Sequence, residues 1–506
     1  MGPPGRAPCR RGSRHCMLGV TMTTAPDQAP FLERRLRFAA ALGDALAVVP
    51  GAQEIVRNGD VHHEFRQSSD FFFLTGFGEP EAVAVFNPAD SKERYVLFVR
   101  PRDRELETWN GHRAGVEGAV AAYGADAAYP IDQLDAKLRE YALDRPALFY
   151  RLGTPAFDGR VLRLVAELRA ARARGHPAPV RIEDPGPLLH ELRLRRAPAE
   201  LARQRRACEI SRDAHVEAMR YARPGLFEYQ VQAALEWVFR VNGSPRNGYP
   251  SIVASGPNAC ILHYSENTRR LEDGDLLLID AGCEWGYHAA DITRTFPVNG
   301  RFTAPQRAVY EVVLRAQQAG IAAARPGHRY EAVHEAARRV LTEGLVALGL
   351  LPRGVEESLA MHHYREFFMH GTGHWLGMDV HDVGAYKVEG KSRVLEPGMV
   401  LTVEPGLYVD PARARATFHL REYSEDEMWD RRLRLGMAAA RKLEEEEKAK
   451  AETLVHPIPK EFRGIGVRIE DDVLITAGGS EVLTAGTPKT VEEVERACAE
   501  PPRLPR

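Results

Sequence analysis

The sequence predicts an α+β domain over residues 186–485, preceded by a smaller α/β domain over 26–185. Three observations carry this. Residues 276–297, LLLIDAGCEWGYHAADITRTFP, place aliphatic and β-branched runs either side of a Gly-bearing turn, the pattern of a β-hairpin. Helical patterns lie before it at 198–221 and 227–241, and after it from 303 and at 330–350 and 355–369. Strands return at 400–404 and 466–475, so helices sit beside a largely antiparallel sheet. Nearer the N-terminus, an amphipathic helix at 31–46 is followed by strand patterns at 46–50, 82–86 and 95–99.

Taken in order, residues 1–25 are rich in Arg, Pro and Gly and lack the apolar core of a signal peptide. They read as a disordered extension, with Met17 and Met22 as alternative starts. In FRQSSDFFFLTGFGE, Phe71 to Phe73 are expected in a buried core strand, and Trp109 in ETWNGHR on a loop. The Pro-rich stretch 177–187 marks a domain boundary. Pro198 opens one helix and Pro305 another; Asn242 and Gly243 close the helix between them. Residues 411–455 are highly charged. Trp429, Leu433, Met437 and Ala440 recur there at helical spacing, beside the i,i+4 pairs Glu444/Lys448 and Glu446/Lys450. This predicts a long exposed helical insertion that docks through its apolar stripe. Residues 486–506 are expected to be a C-terminal tail.

The 506 residues are 44% hydrophobic and 27% charged, as in an ordinary globular protein. A net charge of −2 gives no electrostatic case for nucleic acid or an anionic membrane. No apolar run approaches the ~20 residues of a spanning helix. Cys9, Cys16, Cys208, Cys260, Cys283 and Cys498 show no CxxC spacing, which argues for a reduced, cytoplasmic protein.

The chemistry starts at the hairpin. Asp280 ends a buried apolar run and Asp291 lies on the returning side. Two such carboxylates repel unless a cation sits between them. Taken alone, the pair also reads as two exposed turn aspartates. Three later segments add donors: His370 and His374 in FFMHGTGHWLG, Glu404 at the end of VLTVE, and Arg468 with Glu470 in GVRIED. Four carboxylates with one imidazole match two divalent cations, and this oxygen-rich set suits Mn²⁺, Fe²⁺ or Co²⁺ better than thiolate-type zinc. Such a pair can share a water and make it a nucleophile.

These motifs resemble those of the pita-bread metallopeptidases, and most closely the aminopeptidase P family. The N-terminal RNGDVHHEFRQSSDFFFLTGFGEPEA resembles that family's amino-terminal domain. The resemblance implies a pita-bread catalytic domain behind a smaller α/β domain, with Asp280, Asp291, His374, Glu404 and Glu470 as the metal ligands. It implies that Asp291 and Glu470 bridge two ions, most simply Mn²⁺. His263, His370 and His381 match the family's non-ligand active-site histidines. The segment around Trp109 resembles one whose Trp reaches a neighbouring subunit's active site, which implies a substrate-binding role for Trp109 and a homo-oligomer, a tetramer or dimer. The departure is the 411–455 insertion, where relatives have a much shorter loop.

The implied reaction is hydrolysis of the first peptide bond of peptides with proline second. A metal-bridging hydroxide attacks, His381 steadies the oxyanion, Glu404 shuttles a proton and His263 positions the substrate. Tyr386, Tyr408 and Arg468 are expected to shape the proline site, with Arg468 also able to orient Glu470. Prolidase, confined to Xaa-Pro dipeptides, remains an alternative. A non-catalytic pita-bread binding protein, or a metal-free creatinase-like hydrolase, is disfavoured because all five ligands are present.

Overall fold

The computed structural model describes residues 27–421 and 425–504. The expected N-terminal extension lies outside the described residues. The chain divides into two compact units that meet between Pro185 and Gly186.

The first unit is built on a six-stranded sheet. Its order is Ala127–Pro130, Tyr95–Val99, Val83–Phe86, Leu46–Pro50, Ala147–Phe149 and Arg181–Glu183. The central pairs are antiparallel and the outer ones parallel. Tyr95–Val99 and Val83–Phe86 are buried throughout, which explains their unbroken apolar runs. Phe71 to Phe73 belong to the helix Ser69–Thr75, not to a strand. Gly76, at φ +67°, stops that helix and its N–H bonds the Phe72 carbonyl. Phe71 and Phe73 are buried while Phe72 meets Phe31 edge-on, so the run looks uniformly apolar and hides its helical period. Trp109 likewise sits on a helix, Arg104–Asn110, which Asp103 caps through the N–H groups of Glu105 and Leu106.

The second unit packs the helices Pro198–Tyr221, Glu228–Val241, Ala304–Ala323 and Glu331–Ala347 around antiparallel strands. One sheet runs Ile252–Ser255, Leu276–Asp280, Thr293–Pro297; another runs Val400–Val403, Asp471–Thr476, Gly479–Val482. The ribbon Gly406–Tyr408 with Gly466–Arg468 connects them. Glu470 N–H donates to the Thr293 carbonyl at 3.0 Å, and the Thr295 hydroxyl to the Arg468 carbonyl at 3.0 Å. The predicted hairpin forms, with Asp280 opposite Thr293, and Asp291 precedes its second strand. The predicted helix over 355–369 is shorter, Val355–Ala360, because His362 turns left-handed at φ +53°.

Two further expectations are corrected. The predicted tail contains the helix Val491–Ala499, whose Thr490 cap and Glu493 form a capping box. Its Val491, Val494 and Ala497 enter the main core, so the unit continues past 485. The insertion is not one helix docked along a stripe. Arg415–His419 pairs with Thr453–Pro457, and Glu425–Leu435 and Met437–Lys450 stand on this ribbon, broken at Gly436 (φ +78°). Leu433 is 82% exposed and Met437 is also exposed, while Ala440 alone of these three is buried. The Trp429 side chain lies outside the described residues. Ion pairs between the helices hold the hairpin instead: Arg431 to Glu447 at 2.8 Å and Arg432 to Glu444 at 3.0 Å.

Candidate metal centre

All five predicted ligands come together in the second unit. Ligand atoms of Asp291, His374 and Glu470 lie within 4.8 Å of one another. His374 Nε2 is 3.3 Å from Asp291 and 3.7 Å from Glu404. Asp280 joins them through Tyr249, whose hydroxyl is 2.7 Å from Asp280 Oδ1 and 2.5 Å from Asp291 Oδ1.

Local structure fixes each donor. Asp280 sits where its strand leaves the sheet. His374 lies in the HGTGH turn, whose backbone crosses Thr402 closely: the Thr402 N–H donates to the His374 carbonyl at 2.9 Å. A Cβ on Gly373 would overlap the Thr402 carbonyl, which accounts for glycine there. His374 Nδ1 faces the Trp375 carbonyl at 3.0 Å, so in the neutral ring the Nε2 lone pair points at the carboxylates. Glu404 follows Val400–Val403 and its N–H is tied to the Thr372 carbonyl. Glu470 accepts from the Thr293 hydroxyl at 2.7 Å.

The electrostatics fit a cation site. Burial raises Asp280 despite the Arg468 guanidinium beside it. Burial also carries Glu404 up to about 7, and Glu470 well above the carboxylate range. At His374 burial acts downward, but the hydrogen bond and charge of Asp291, followed by Glu404, lift it to about 9. The leading cause at the three carboxyls is burial, and their mutual repulsion adds to it despite Arg468 and His374. Divalent cations on these oxygens and on Nε2 offset that repulsion.

The other predicted residues fall into two groups. His370 contacts the Gly371 carbonyl through Nδ1 (2.7 Å) and the Tyr408 hydroxyl through Nε2 (2.9 Å); burial, then Arg468, drops it to about 3. His381 meets His374 edge-on with ring centres 4.3 Å apart. His263 is exposed, and its nearness adds a little to the lowering of His370 and His381. Tyr408 and Arg468 are buried behind the ligands rather than lining an open subsite. Arg468 donates to Asp280 (2.6 Å), Tyr408 (2.9 Å) and Thr293 (3.1 Å). Its hydrogen-bonded carboxylate is thus Asp280 and not the expected Glu470, because the strand ends at Arg468 and Glu470 turns to Thr293. Tyr386 stacks on Trp375 and its hydroxyl accepts the Trp375 N–H at 3.0 Å. Trp109 belongs to the first unit and is 80% exposed.

Sequence reasoning missed Tyr249 and Asp472. Buried Asp472 accepts the Asp291 N–H (3.1 Å) and the Cys208 thiol (3.3 Å), and burial raises its carboxyl strongly. Neither sits in a motif, and the adjacent Asp471 and Asp472 read as one acidic pair; Asp471 is spent on Arg294 and Lys489.

The model of metallopeptidase family M24 matches residues 202–477, and that of the aminopeptidase P N-terminal domain matches residues 31–149. The chain belongs to metallopeptidase family M24. It is a metal-dependent hydrolase with a pita-bread catalytic unit behind a smaller N-terminal α/β domain. It is 40% identical to the Xaa-Pro aminopeptidase of Escherichia coli K12, over 89% of this chain and 92% of that one. Among solved structures it resembles the Pseudomonas aeruginosa aminopeptidase PepP (TM-score 0.83, 44% identity, covering 94% of this chain and 98% of that one). It also resembles a zinc-substituted E. coli aminopeptidase P in complex with product (TM-score 0.81, 39% identity, 94% and 99%).

Proposed function

We propose that the chain releases the first residue of peptides whose second residue is proline, using two divalent ions, manganese in the native protein. The observation that carries this is the convergence of Asp280, Asp291, His374, Glu404 and Glu470, in a chain that aligns with an Xaa-Pro aminopeptidase along most of both lengths. Asp280, Asp291, His374, Glu404 and Glu470 would hold the ions, with Asp291, His374 and Glu470 at the centre of the cluster. Bound ions supply Lewis-acid polarisation of the scissile carbonyl and a more acidic water. The oxygen-rich donor set supports manganese.

The chain's own groups do the rest. His381, beside His374, is placed to meet the oxyanion. Glu404 lies between His374 and His370, 3.7 and 3.9 Å away. From there it carries a proton to the leaving proline nitrogen, which has no N–H of its own and departs only when protonated. His263 positions the peptide and Tyr386 borders the proline side. Arg468 and Tyr408 act by holding Asp280 and His370 in place. The exposed Trp109 supports a subunit contact in a dimer or tetramer, since an exposed aromatic of this size calls for a partner surface. The free thiols of Cys208, Cys260, Cys283 and Cys498 support a cytoplasmic setting.

The test uses metal-loaded protein on an Xaa-Pro tripeptide, the same peptide with alanine for proline, and an Xaa-Pro dipeptide. Release of the first residue from the tripeptide, with little from the alanine form, is expected. Cleavage of the dipeptide alone overturns the proposal in favour of a prolidase.

A further inference from the structure

His374 and His381 stand near the two ends of one loop, residues 374–382, and their rings touch. Two devices close that loop. The Asp382 N–H donates to the Trp375 carbonyl at 2.8 Å, the same carbonyl that faces His374 Nδ1. A charged quartet then grips it from the helix Gly186–Leu194 and the residues just after it. Arg193 donates to Asp379 at 2.7 Å and to Asp382. Arg196 donates to Asp382 and, at 2.8 Å, to the Leu376 carbonyl. Its own backbone is pinned by Gly398 at 2.9 Å. The side chains of Arg193, Arg196 and Asp382 are 2%, 1% and 0% exposed. The loop passes so close that a Cβ on Gly377 would overlap both Arg196 and Asp382. Buried ion pairs contribute little net stability, because desolvation offsets their attraction. What this quartet does provide is a fixed geometry for the residue next to Asp382, which is His381.

We propose that the Arg196–Asp382 pair, backed by Arg193, is a positioning device that seats His381 against His374 and thereby sets turnover. The link to turnover rests on the role proposed above for His381; the seat itself rests on geometry. Asp382→Asn removes the charge at nearly constant shape. A displacement of about 1 Å at a reacting group can cost ~100-fold in rate. The experiment compares Asp382→Asn, Arg196→Lys, His381→Ala and the two double variants with His381→Ala. Each is checked for fold by circular dichroism and for bound metal by emission spectroscopy, then assayed on an Xaa-Pro tripeptide.

Asp382→Asn is expected to keep its metal and its KM and to lose about 10- to 100-fold in kcat. Arg196→Lys should fall between it and the parent, because lysine restores the charge but not the fork. With His381→Ala already present, either substitution should cost less than about 3-fold more, since both act through the same imidazole. Undiminished kcat in a folded Asp382→Asn protein, or losses that multiply in the double variants, would overturn the inference. If Asp382→Asn does not fold, the Arg196→Lys cycle decides the question by the same two criteria. A fully active His381→Ala protein instead refutes the role assigned to His381, a separate failure.

Discussion

Glu404→Gln should stabilise the protein when metal is stripped and destabilise it when metal is present. Glu404 is pushed by burial from 4.5 to about 7, against the opposing pull of His374 and Arg468. A carboxyl whose folded value is raised binds its proton more tightly folded than unfolded. Its stabilising contribution is complete below 4.5 and is lost as pH climbs through 7, so at pH 8 the folded state carries an unwelcome charge. A shift of that size is about 300-fold, or about 3 kcal/mol at 1.36 kcal/mol per tenfold. The Glu404 side chain is only 18% exposed, so solvent screens little of this, and on the order of 1–3 kcal/mol is expected. Glutamine has the neutral carboxyl's shape. In a chelating buffer the variant should therefore melt several degrees above the parent at pH 8 and level with it near pH 5, read by differential scanning calorimetry. With metal added the order should reverse, because the variant has lost a ligand and the binding energy it couples to folding. An equal or lower melting temperature for chelated Glu404→Gln at pH 8 would refute the account of Glu404 as a buried carboxylate that a cation must compensate.

Three more outcomes follow from the same geometry. Tyr249→Phe removes the one proton shared between Asp280 and Asp291, a charge-assisted bond of about 1.5–3 kcal/mol; metal affinity measured by chelator competition should fall about 10- to 100-fold, and unchanged affinity counts against it. Replacing residues 421–451 with a short Gly/Ser turn should leave metal content and tripeptide hydrolysis largely intact, because Leu420 N–H and the Glu452 carbonyl already meet at 2.8 Å; loss of metal in a folded deletion would make the insertion part of the centre. Trp109→Ala should lower the oligomeric state seen by analytical ultracentrifugation without reducing metal content, and an unchanged assembly contradicts the interface role.

The ligands are legible in the sequence because each stands where a carboxylate or imidazole is costly without a cation: Asp280 and Glu404 at strand ends, His374 in a glycine-bracketed turn. Their supports are not, since Tyr249 and Asp472 acquire meaning only through partners 31 to 264 positions away. Arg193 and Arg196 look like ordinary basic residues before a helix, and only the fold brings the loop around Asp382 onto them. In the first unit the Phe71 to Phe73 run misleads because a short helix buried on two sides carries no period. Elsewhere a local signal is present in the sequence. Thr490 with Glu493 is a capping box ahead of Val491, Val494 and Ala497, and Gly436 splits what reads as one long charged helix.

The central claim, that five side chains hold a pair of ions and that catalysis depends on them, is most directly tested by Asp291→Asn. Metal stoichiometry, fold and turnover on an Xaa-Pro tripeptide are measured together on the parent and the variant. The parent should bind two divalent ions, and the variant should keep its fold, bind at most one and turn over near background. Two ions per chain and normal turnover in Asp291→Asn would contradict the account.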